Sequence, residues 1–212
     1  MSVADVSIVD YGAGNLDSVR RAVFRAGAEA ELVRRPEEIL AAERIILPGV
    51  GAAGEALSKL RAEGLDQALT ETVRDRGCPF LGICLGMQLI AERLYEFGDH
   101  AGLGWIKGDV VPLGEKAPSH LRIPHMGWNR IEVDSRAEDI FQAVRGDRSF
   151  YFAHSYTLQQ PNGDKDVVAE CDYGVPLAVA VLSETVFATQ FHPEKSQING
   201  DRLISAFMDW AP

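Results

Sequence analysis

The sequence is short of cysteine, and this shortage limits where the protein works. Its 212 residues include three cysteines, Cys78, Cys84 and Cys171. They form neither a metal-type cluster nor an even set for disulfide pairing. We therefore expect no metal site, and a reducing compartment rather than secretion.

Basic residues are also scarce, which argues against one class of partner. The sequence has 21 lysine and arginine residues against 31 aspartate and glutamate residues, and its formal net charge is −10. A protein that binds nucleic-acid phosphates needs a basic surface, which this composition does not supply. We expect no nucleic-acid partner.

Long apolar runs are missing as well. No run approaches the roughly 20 residues that span a membrane. Residues 1–5 (MSVAD) lack the basic start and the apolar core of a signal peptide. We therefore predict a cytoplasmic protein with no membrane contact. The length suits one domain with a sizeable core, so we predict a single domain over residues 1–212.

Apolar segments in the first half alternate between strand and helix patterns. The first strand leads into an amphipathic helix with Leu16, Val19, Val23 and Phe24 on its apolar side. Helical sequence at residues 55–76 is interrupted near Gly64. Short strands are predicted at residues 6–9, 30–33 and 44–47 and at the start of residues 80–88. Repeated strand–helix units predict a parallel sheet with helices on both faces.

The second half has mostly strand patterns and predicts a mixed or antiparallel arrangement. Residues 183–185 are short enough for a hairpin, and a closing helix is expected to start at residues 199–201. The predicted strands are residues 105–111, 128–133, 149–153, 166–170, 177–181 and 186–191. The fold class is therefore α/β, with a mixed central sheet.

The loop after the first strand, residues 10–15 (DYGAGN), contains two glycines. They suggest a dinucleotide-binding loop, but Asp17 stands where the third glycine of that motif belongs. Asn15 is better interpreted as the N-cap of the following helix. A polar residue on a loop at the carboxyl end of a strand is also a candidate partner contact.

Residues 80–88 (FLGICLGMQ) predict a strand, a tight turn and a helix with Cys84 at the corner. Gly82 and Gly86 flank the cysteine at a spacing that lets strand and helix approach closely. A cysteine at a helix N-terminus is favoured as the thiolate, the form that acts as a nucleophile. The alternative is a buried structural cysteine, and only partners elsewhere in the chain decide between them.

Two further segments supply such partners. Residues 48–51 (PGVG) follow a strand and are either an ordinary turn or a loop whose N–H groups stabilise an oxyanion. His192 and Glu194 stand two residues apart in an extended segment around Pro193, so their side chains point to the same side. A carboxylate that orients an imidazole completes a triad of nucleophile, base and orienter.

These motifs resemble those of the class I glutamine amidotransferases, in which a Cys-His-Glu triad hydrolyses the side-chain amide of glutamine. Residues 10–15, 124–129 (PHMGWN), 151–156 (YFAHSY) and 190–196 (QFHPEKS) strengthen the likeness, which covers almost the whole chain. The resemblance implies a three-layer fold with a mostly parallel central sheet and a small antiparallel sheet. It also implies catalysis by Cys84, His192 and Glu194 without a cofactor.

The resemblance further implies roles for residues around the triad. Oxyanion donors are expected at Val50, Gly51 and Leu85. Glutamine contacts are expected at Gly49, Gln88, Glu96, His154, Ser155 and Tyr156. Contacts with a partner subunit are expected at Asn15, Trp128, Tyr151 and Lys195.

No part of the chain is left over to consume ammonia, which implies a separate acceptor subunit. The likeness is strongest to the branch of the family whose glutaminase subunits form a heterodimer with a β/α-barrel cyclase in histidine biosynthesis. Three alternatives remain. The first is a glutaminase that serves anthranilate, aminodeoxychorismate or pyridoxal phosphate synthesis. The second is a free-standing γ-glutamyl peptidase, and the third is a regulatory subunit without activity.

Overall fold

The computed structural model describes residues 4–161 and 166–212. Its helices are α1 (Leu16–Arg25), α2 (Pro36–Leu40), α3 (Ala53–Ala62), α4 (Leu65–Thr70), α5 (Leu85–Leu89), α6 (Glu138–Phe141) and α7 (Gln197–Asp209). A π-helical turn, Glu71–Asp75, follows α4. Short 3₁₀ turns cover Leu113–Glu115, Ser135–Ala137 and Pro193–Lys195.

The strands divide between the two halves of the chain. The first half has β1 (Val6–Val9), β2 (Ala30–Val33), β3 (Ile45–Leu47), β4 (Phe80–Ile83), β5 (Arg93–Leu94) and β6 (His100–Ala101). The second half has β7 (Asp109–Pro112), β8 (His125–Val133), β9 (Ser149–His154), β10 (Tyr156–Gln159), β11 (Val167–Asp172), β12 (Pro176–Ser183) and β13 (Val186–Thr189).

Within the described residues these strands join one mixed sheet of thirteen strands. The strands β2, β1, β3, β4 and β13 lie side by side in that order and are all parallel, and we call them the parallel block. β12 continues the sheet antiparallel to β13 and leads through β10 to β7, β5 and β6. β11, β8 and β9 extend sideways from β12 in antiparallel pairs, and we call them the antiparallel branch. The predicted mixed sheet is confirmed.

Helices cover both faces of the parallel block, as predicted. Ile8 and Ile46 belong to one apolar cluster with residues of α1, α6 and α7. A second cluster contains Val9, which follows Ile8 in β1, and Ile45, which precedes Ile46 in β3. Residues of α2, α3 and α4 belong to the same cluster. Successive strand residues point to opposite faces, so a strand buried on both sides is apolar at most of its positions.

Several local predictions are confirmed. The Asn15 side chain accepts a hydrogen bond from the Ser18 N–H at 3.3 Å and caps α1. Pro36 is the first residue of α2. Gly64 adopts a left-handed conformation (φ +69°) between α3 and α4, where the helical sequence was expected to break. Ser183 pairs with Val186, so β12 and β13 form the predicted hairpin.

One face assignment on α1 is wrong. Phe24 was placed on its apolar side, but it is 76% exposed. The buried residues of α1 are Val19, Ala22 and Val23, which follow the i, i+3, i+4 spacing of a single helix face. Phe24 lies about 100° further round the helix and therefore points into solvent.

One element boundary also differs from the prediction. The helix after Cys84, α5, ends at Leu89, and the strand expected at residues 105–111 starts only at Asp109. The N–H groups of Leu103, Trp105 and Ile106 donate to the carbonyls of Leu89 and Ile90. A later segment therefore caps the helix end and is not free to extend as a strand.

The closing helix α7 begins at Gln197, two residues before the predicted start. Its buried residues, Gly200, Leu203, Ile204 and Phe207, lie on one face against the sheet. Among residues 4–161 and 166–212, no helix has the length and apolar character needed to cross a lipid bilayer.

Candidate active site

Three neighbouring strands of the parallel block bring distant residues to one edge of the sheet. Leu47 of β3 pairs with Gly82 of β4, and Ile83 of β4 pairs with Thr189 of β13. Parallel strands end at the same edge, so the segments that follow these three strands lie next to one another. Those segments are the loop 48–51, the residue Cys84 and residues 190–194.

Cys84 occupies the sharp turn between β4 and α5. Its backbone has φ +52° and ψ −103°, a conformation that residues with a Cβ rarely adopt, at a cost of roughly 1–3 kcal/mol. Its N–H donates to the Thr189 carbonyl at 2.7 Å and holds the turn against β13. The predicted strand–turn–helix with a cysteine at the corner is confirmed.

The two flanking glycines permit this turn because a side chain at either position meets backbone atoms. A Cβ at Gly86 would collide with the carbonyl oxygen of Leu47. A Cβ at Gly82 would lie 3.0 Å from the Cβ of Ala188 and from the carbonyl group of Gly86. The start of α5 is therefore packed directly onto β3 and β4.

His192 and Glu194 form a buried pair beside the cysteine. The Nδ1 atom of His192 lies 2.8 Å from Oε1 of Glu194, and their side chains are 2% and 3% exposed. With Nδ1 engaged, Nε2 is the ring nitrogen left to interact with the sulfur of Cys84. Burial lowers the pKa of His192, but the hydrogen bonds and charges of Cys84 and Glu194 outweigh it and raise that pKa to about 9.

The main chain around His192 is fixed by β9. The His192 N–H donates to the Tyr151 carbonyl at 2.9 Å. The Ser196 hydroxyl donates to the His192 carbonyl at 2.6 Å and accepts from the Tyr151 N–H at 3.0 Å. Because both sides of the His192 peptide are anchored, the imidazole is placed by a strand from the other half of the chain.

The glycine-rich loop after β3 is held by a buried tyrosine. The Tyr11 hydroxyl donates to the Pro48 carbonyl at 3.2 Å, and a Cβ at Gly49 would collide with that hydroxyl. Burial, with a smaller contribution from Cys84, raises the pKa of Tyr11 well above its usual value, so the hydroxyl stays neutral. Val50 and Gly51 follow at the rim of the cavity beside Cys84. Leu85 opens α5, and its N–H therefore has no acceptor within the helix.

A cavity of about 300 Å³ opens over the sulfur and collects most of the predicted substrate residues. The predicted substrate residues that line it are Gln88, Glu96, His154, Ser155 and Tyr156. The cavity is also lined by Val50, Gly51, Leu85, Cys84, His192 and Lys195. Gly49 is the exception among the predicted substrate contacts, since it lies behind the wall between Tyr11 and Leu85. Pro124, Met126 and Ala153, which were not predicted, complete the wall.

Glu96 supplies a carboxylate to this wall and also caps a helix. Its Oε2 accepts a hydrogen bond from the N–H of Ala53, the first residue of α3, at 2.6 Å. A carboxylate at a helix N-terminus is favoured by the helix dipole and by the unpaired N–H groups there. The cap holds Glu96 in the wall of the cavity.

His154 lines the cavity with both ring nitrogens already engaged inside the protein. Its Nδ1 lies 2.7 Å from the Tyr156 carbonyl and must carry the proton, so Nε2 accepts from Nδ1 of His125 at 3.0 Å. Burial lowers the pKa of each ring to about 4, so both are neutral at pH 7. The His154 ring therefore supports the wall and carries no charge.

The comparisons with known proteins agree with this geometry. A family profile described as "Glutamine amidotransferase class-I" matches residues 7–209. The chain belongs to the class-I glutamine amidotransferases. The predicted family is confirmed.

Curated relatives of this amidotransferase match it over nearly its whole length. It is 45% identical over 203 residues to imidazole glycerol phosphate synthase subunit HisH of Rhodopirellula baltica, covering 95% of this chain and 96% of that protein. It is 42% identical to the protein of the same name from Zymomonas mobilis, covering 98% and 96%.

Solved structures share the fold of this amidotransferase. A structure described as a glutamine amidotransferase superposes with a TM-score of 0.74 at 22% identity, covering 96% of this chain and 97% of the other. The structure of PurLQS from Thermotoga maritima gives the same TM-score and coverage at 21% identity. At these identities the likeness concerns the fold alone.

The four predicted partner contacts of the amidotransferase lie on different elements, and one of them lines the cavity. Lys195 is exposed and lines the cavity. Trp128, 50% exposed, pairs with Tyr151 across β8 and β9, and their rings meet edge to face at 6.2 Å. Asn15 is exposed at the carboxyl end of β1, on the same edge of the parallel block as Cys84.

Sequence reasoning missed three residues of this site in the amidotransferase: Tyr11, Ser196 and Gln190. Gln190 is completely buried, and its Nε2 lies 3.6 Å from the Cys84 sulfur. Its position two residues before His192 in an extended segment was a usable signal, because such residues share a side. Tyr11 and Ser196 act through contacts with main-chain atoms distant in sequence, for which no local pattern exists.

Metal-binding side chains do not gather at this site or elsewhere in the described ranges. No group of three or more histidine, cysteine, aspartate or glutamate residues there is arranged to hold an ion.

Proposed function

We propose that this chain is the glutaminase subunit of imidazole glycerol phosphate synthase. It hydrolyses L-glutamine to glutamate and ammonia, and it passes the ammonia to a separate cyclase subunit. The observation that carries the proposal is that Cys84 and His192 line one cavity with Glu194 bonded behind His192, in a chain 45% identical to a protein of that name.

Acylation begins with the sulfur of Cys84. It attacks the side-chain amide carbon of glutamine, and a carbon–sulfur bond forms as the carbonyl becomes a tetrahedral oxyanion. His192 donates the proton on Nε2 to the amide nitrogen, and the carbon–nitrogen bond breaks to release ammonia. A γ-glutamyl thioester remains on Cys84. The raised pKa of His192 keeps this proton available at neutral pH.

Deacylation uses the same groups in the opposite direction. His192, now neutral, takes a proton from a water molecule that attacks the thioester carbon. The carbon–sulfur bond breaks, glutamate leaves, and the sulfur returns with its negative charge beside the protonated imidazole. Glu194 holds Nδ1 throughout, so the ring keeps the orientation that both steps need.

The oxyanion is assigned to the N–H groups of Leu85, Val50 and Gly51. All three residues line the cavity next to Cys84. One such donor is worth roughly 2.7–4 kcal/mol of barrier. Tyr11, which fixes Pro48, holds the loop that carries two of these donors.

The α-amino-acid end of glutamine is assigned to the far wall of the cavity. Glu96 supplies the negative charge that an α-ammonium group needs. Gln88, His154, Ser155 and Tyr156 complete this end, and Gly49 contributes from behind the wall. The volume of about 300 Å³ lies at the lower end of the range for small-molecule sites and suits a free amino acid.

The partner is a cyclase subunit with a β/α-barrel fold, and the two chains form a heterodimer. Asn15, Trp128, Tyr151 and Lys195 supply the contacts around the cavity edge. Exposed aromatic side chains are typical anchors of such interfaces. The cyclase receives ammonia through an internal passage and releases imidazole glycerol phosphate and an aminoimidazole carboxamide ribonucleotide.

The same argument extends to the organisation and location of the chain. We infer one domain over residues 1–212, because the strands of the described ranges join one sheet. We infer a cytoplasmic location from the three unpaired thiols, Cys78, Cys84 and Cys171, which suit a reducing compartment.

Replacing the nucleophile tests the proposal. Cys84→Ser should lower glutamine-dependent synthesis by the reconstituted complex by about 10⁶-fold, as for loss of other catalytic nucleophiles. Synthesis from added ammonium salts should be unchanged, because the cyclase needs only ammonia. Both rates are measured on the same complex by following imidazole glycerol phosphate.

Cys78→Ser is the matched control, since Cys78 is also a buried thiol but precedes β4 and therefore lies at the opposite end of that strand from Cys84. It should leave both rates within about twofold of wild type, as expected for a conservative change away from the site. Glutamine-dependent synthesis by Cys84→Ser at the wild-type rate would overturn the proposal. So would failure of the wild-type chain to support synthesis with any cyclase subunit.

A further inference from the structure

Gln190 is a buried polar residue that the mechanism above leaves unused. It follows β13, and none of its surface is exposed. Its amide contacts two groups: Nε2 lies 3.6 Å from the Cys84 sulfur, and Oε1 lies 3.0 Å from Nε2 of Gln88. A fully buried amide that ends on the reacting atom calls for a functional explanation.

The orientation of this amide follows from a main-chain oxygen. Nε2 of Gln88 faces two acceptors, the Tyr156 carbonyl at 3.3 Å and Oε1 of Gln190 at 3.0 Å. A carbonyl oxygen only accepts, so Gln88 must turn its nitrogen towards Tyr156. The oxygen of Gln190 must then face Gln88, and its N–H must point at the sulfur.

The sulfur therefore interacts with two different donors. His192 carries a proton that is transferred during the reaction. Gln190 carries a proton that an amide does not release. The amide donor is thus present in both steps in which the sulfur is negatively charged, before acylation and when the thioester breaks.

We propose that Gln190 is a further catalytic residue, which stabilises the Cys84 thiolate through its amide N–H, and that Gln88 is the positioning residue that orients this amide. The proposal rests on the function proposed above, because it takes Cys84 as the nucleophile. A hydrogen bond to the charged form of a group favours that form. Loss of Gln190 should therefore favour the thiol.

The other titratable groups around the sulfur do not obscure the effect of losing the Gln190 donor. His192, with Glu194 behind it, is the group that shares a proton with Cys84. Burial raises the pKa of Tyr11 and lowers the pKa of His154 to about 4, so both stay neutral from pH 5 to pH 9. Glu96 and Lys195 also line the cavity and are the same in both proteins, so a change in the alkylation of Cys84 on replacing Gln190 is attributable to the lost donor.

Gln190→Met tests the proposal, because methionine keeps the length and bulk of the side chain and removes the donor. The measurement is the rate of Cys84 alkylation by iodoacetamide against pH, on the full chain without glutamine. We expect the midpoint of the curve to rise by about one pH unit, the size of a lost hydrogen bond to a charged group. In the reconstituted complex, kcat for glutamine should fall about 10–100-fold, with KM within about twofold.

A second variant separates this role from packing. Gln88→Met leaves Gln190 in place but removes the group that orients it, and it should shift the midpoint in the same direction by a smaller amount. Thr157→Val is the matched control, because Thr157 is a buried residue whose hydroxyl has no partner within the described residues. It should leave the midpoint unchanged.

The outcomes are distinct. A Gln190→Met curve that superimposes on that of wild type overturns the proposal. If Gln190→Met does not fold, the Gln88→Met curve decides the same question in the same way. Failure of wild-type Cys84 to be alkylated, or full glutaminase activity of Cys84→Ser, would instead contradict the proposed function itself.

Discussion

The parallel block and the antiparallel branch contribute different things to one site. In the block, every residue of β1, β4 and β13 is buried. In the branch, β9 alternates between buried and half-buried residues, and β8 exposes Met126 and Trp128. The block has helices on both faces, whereas the branch keeps one side open.

This difference separates the reaction from recognition. Cys84, His192 and the loop 48–51 follow strands of the block, where packing on both faces leaves little freedom to move. Met126, Ala153 and His154, which form the opposite wall of the cavity, come from the branch. Under the proposed function, the reacting atoms thus stand on the more rigid support, and the surface assigned to substrate and partner stands on the more open one.

The two regions nevertheless meet at one point. The main chain of Tyr151 in β9 bonds both the His192 N–H and the Ser196 hydroxyl. The side chain of the same residue packs against Trp128 on the exposed side. Mutations confined to the parallel block or to the antiparallel branch therefore test whether the two regions have separate functions.

The largest effect is expected in the block, from Glu194→Gln. The amide keeps the shape of the side chain but removes the charge that helps to raise the pKa of His192. Glutamine turnover by the complex should fall by about 10⁴-fold, as when the carboxylate of a comparable triad is replaced by its amide. The pKa of His192, followed by NMR of its ring protons, should fall from about 9.

The ammonium-dependent reaction of the same complex serves as the control and should not change. Loss of that reaction as well would show that Glu194 maintains the fold or the partner contact rather than the orientation of His192.

An intermediate effect is expected in the branch, from Trp128→Ala. If Trp128 anchors the cyclase subunit, its removal should weaken binding about 10–100-fold, as for an aromatic residue at the centre of an interface. Calorimetry with the isolated cyclase subunit measures this directly. Such a loss of affinity would show that the antiparallel branch, rather than the parallel block, controls binding of the cyclase subunit.

Phe24→Ala is the matched control for Trp128→Ala, because Phe24 is an exposed aromatic residue on α1. The affinity of the Phe24→Ala variant for the cyclase should stay within about twofold of that of wild type. Equal losses in the two variants would mean that the partner covers a different face from the one proposed.

The smallest effect is expected from the buried histidines of the branch. Burial lowers the pKa of His125 and His154 to about 4, whereas the unfolded chain titrates near pH 6.5. As pH falls below about 6.5 the unfolded chain binds protons first, so the folded state loses stability down to about pH 4. Between pH 7 and pH 5 we expect a loss on the order of 1–2 kcal/mol per ring.

Urea unfolding of wild type and His125→Phe at the two pH values checks this expectation. Phenylalanine keeps a ring against Phe152 and Tyr173 and removes one titrating group. The variant should lose less stability on acidification. His192, whose pKa is raised, contributes stability that is complete below about pH 6.5 and lost towards pH 9, and this contribution is the same in both proteins. Identical pH dependence in the two proteins would contradict the assignment.

Much of the block was predictable from local patterns. Each short apolar run followed by a glycine or a polar loop became a parallel strand, and the glycines around Cys84 indicated the turn. The Asn15 cap and the break at Gly64 are also determined by neighbouring residues. Short-range rules succeed where the backbone conformation depends on a few adjacent residues.

The failures all involve residues distant in the chain. Phe24 was misplaced because a helix face is defined by what packs against it. The end of α5 is decided by N–H groups of residues 103–106, and the placement of His192 by Tyr151. Gln190 was overlooked although its spacing from His192 was a usable signal, because its role also depends on Gln88 in α5 and Tyr156 in β10.

The Tyr156 carbonyl has a consequence for how this protein changes over time. This oxygen atom accepts hydrogen bonds from both the His154 ring and the Gln88 amide. It therefore fixes the tautomer of His154 and the orientation of the Gln88 amide. No codon change removes a peptide oxygen. Substitutions can replace His154 or Gln88, but every variant that keeps the backbone path of β10 keeps the carbonyl oxygen of residue 156 that orients both side chains.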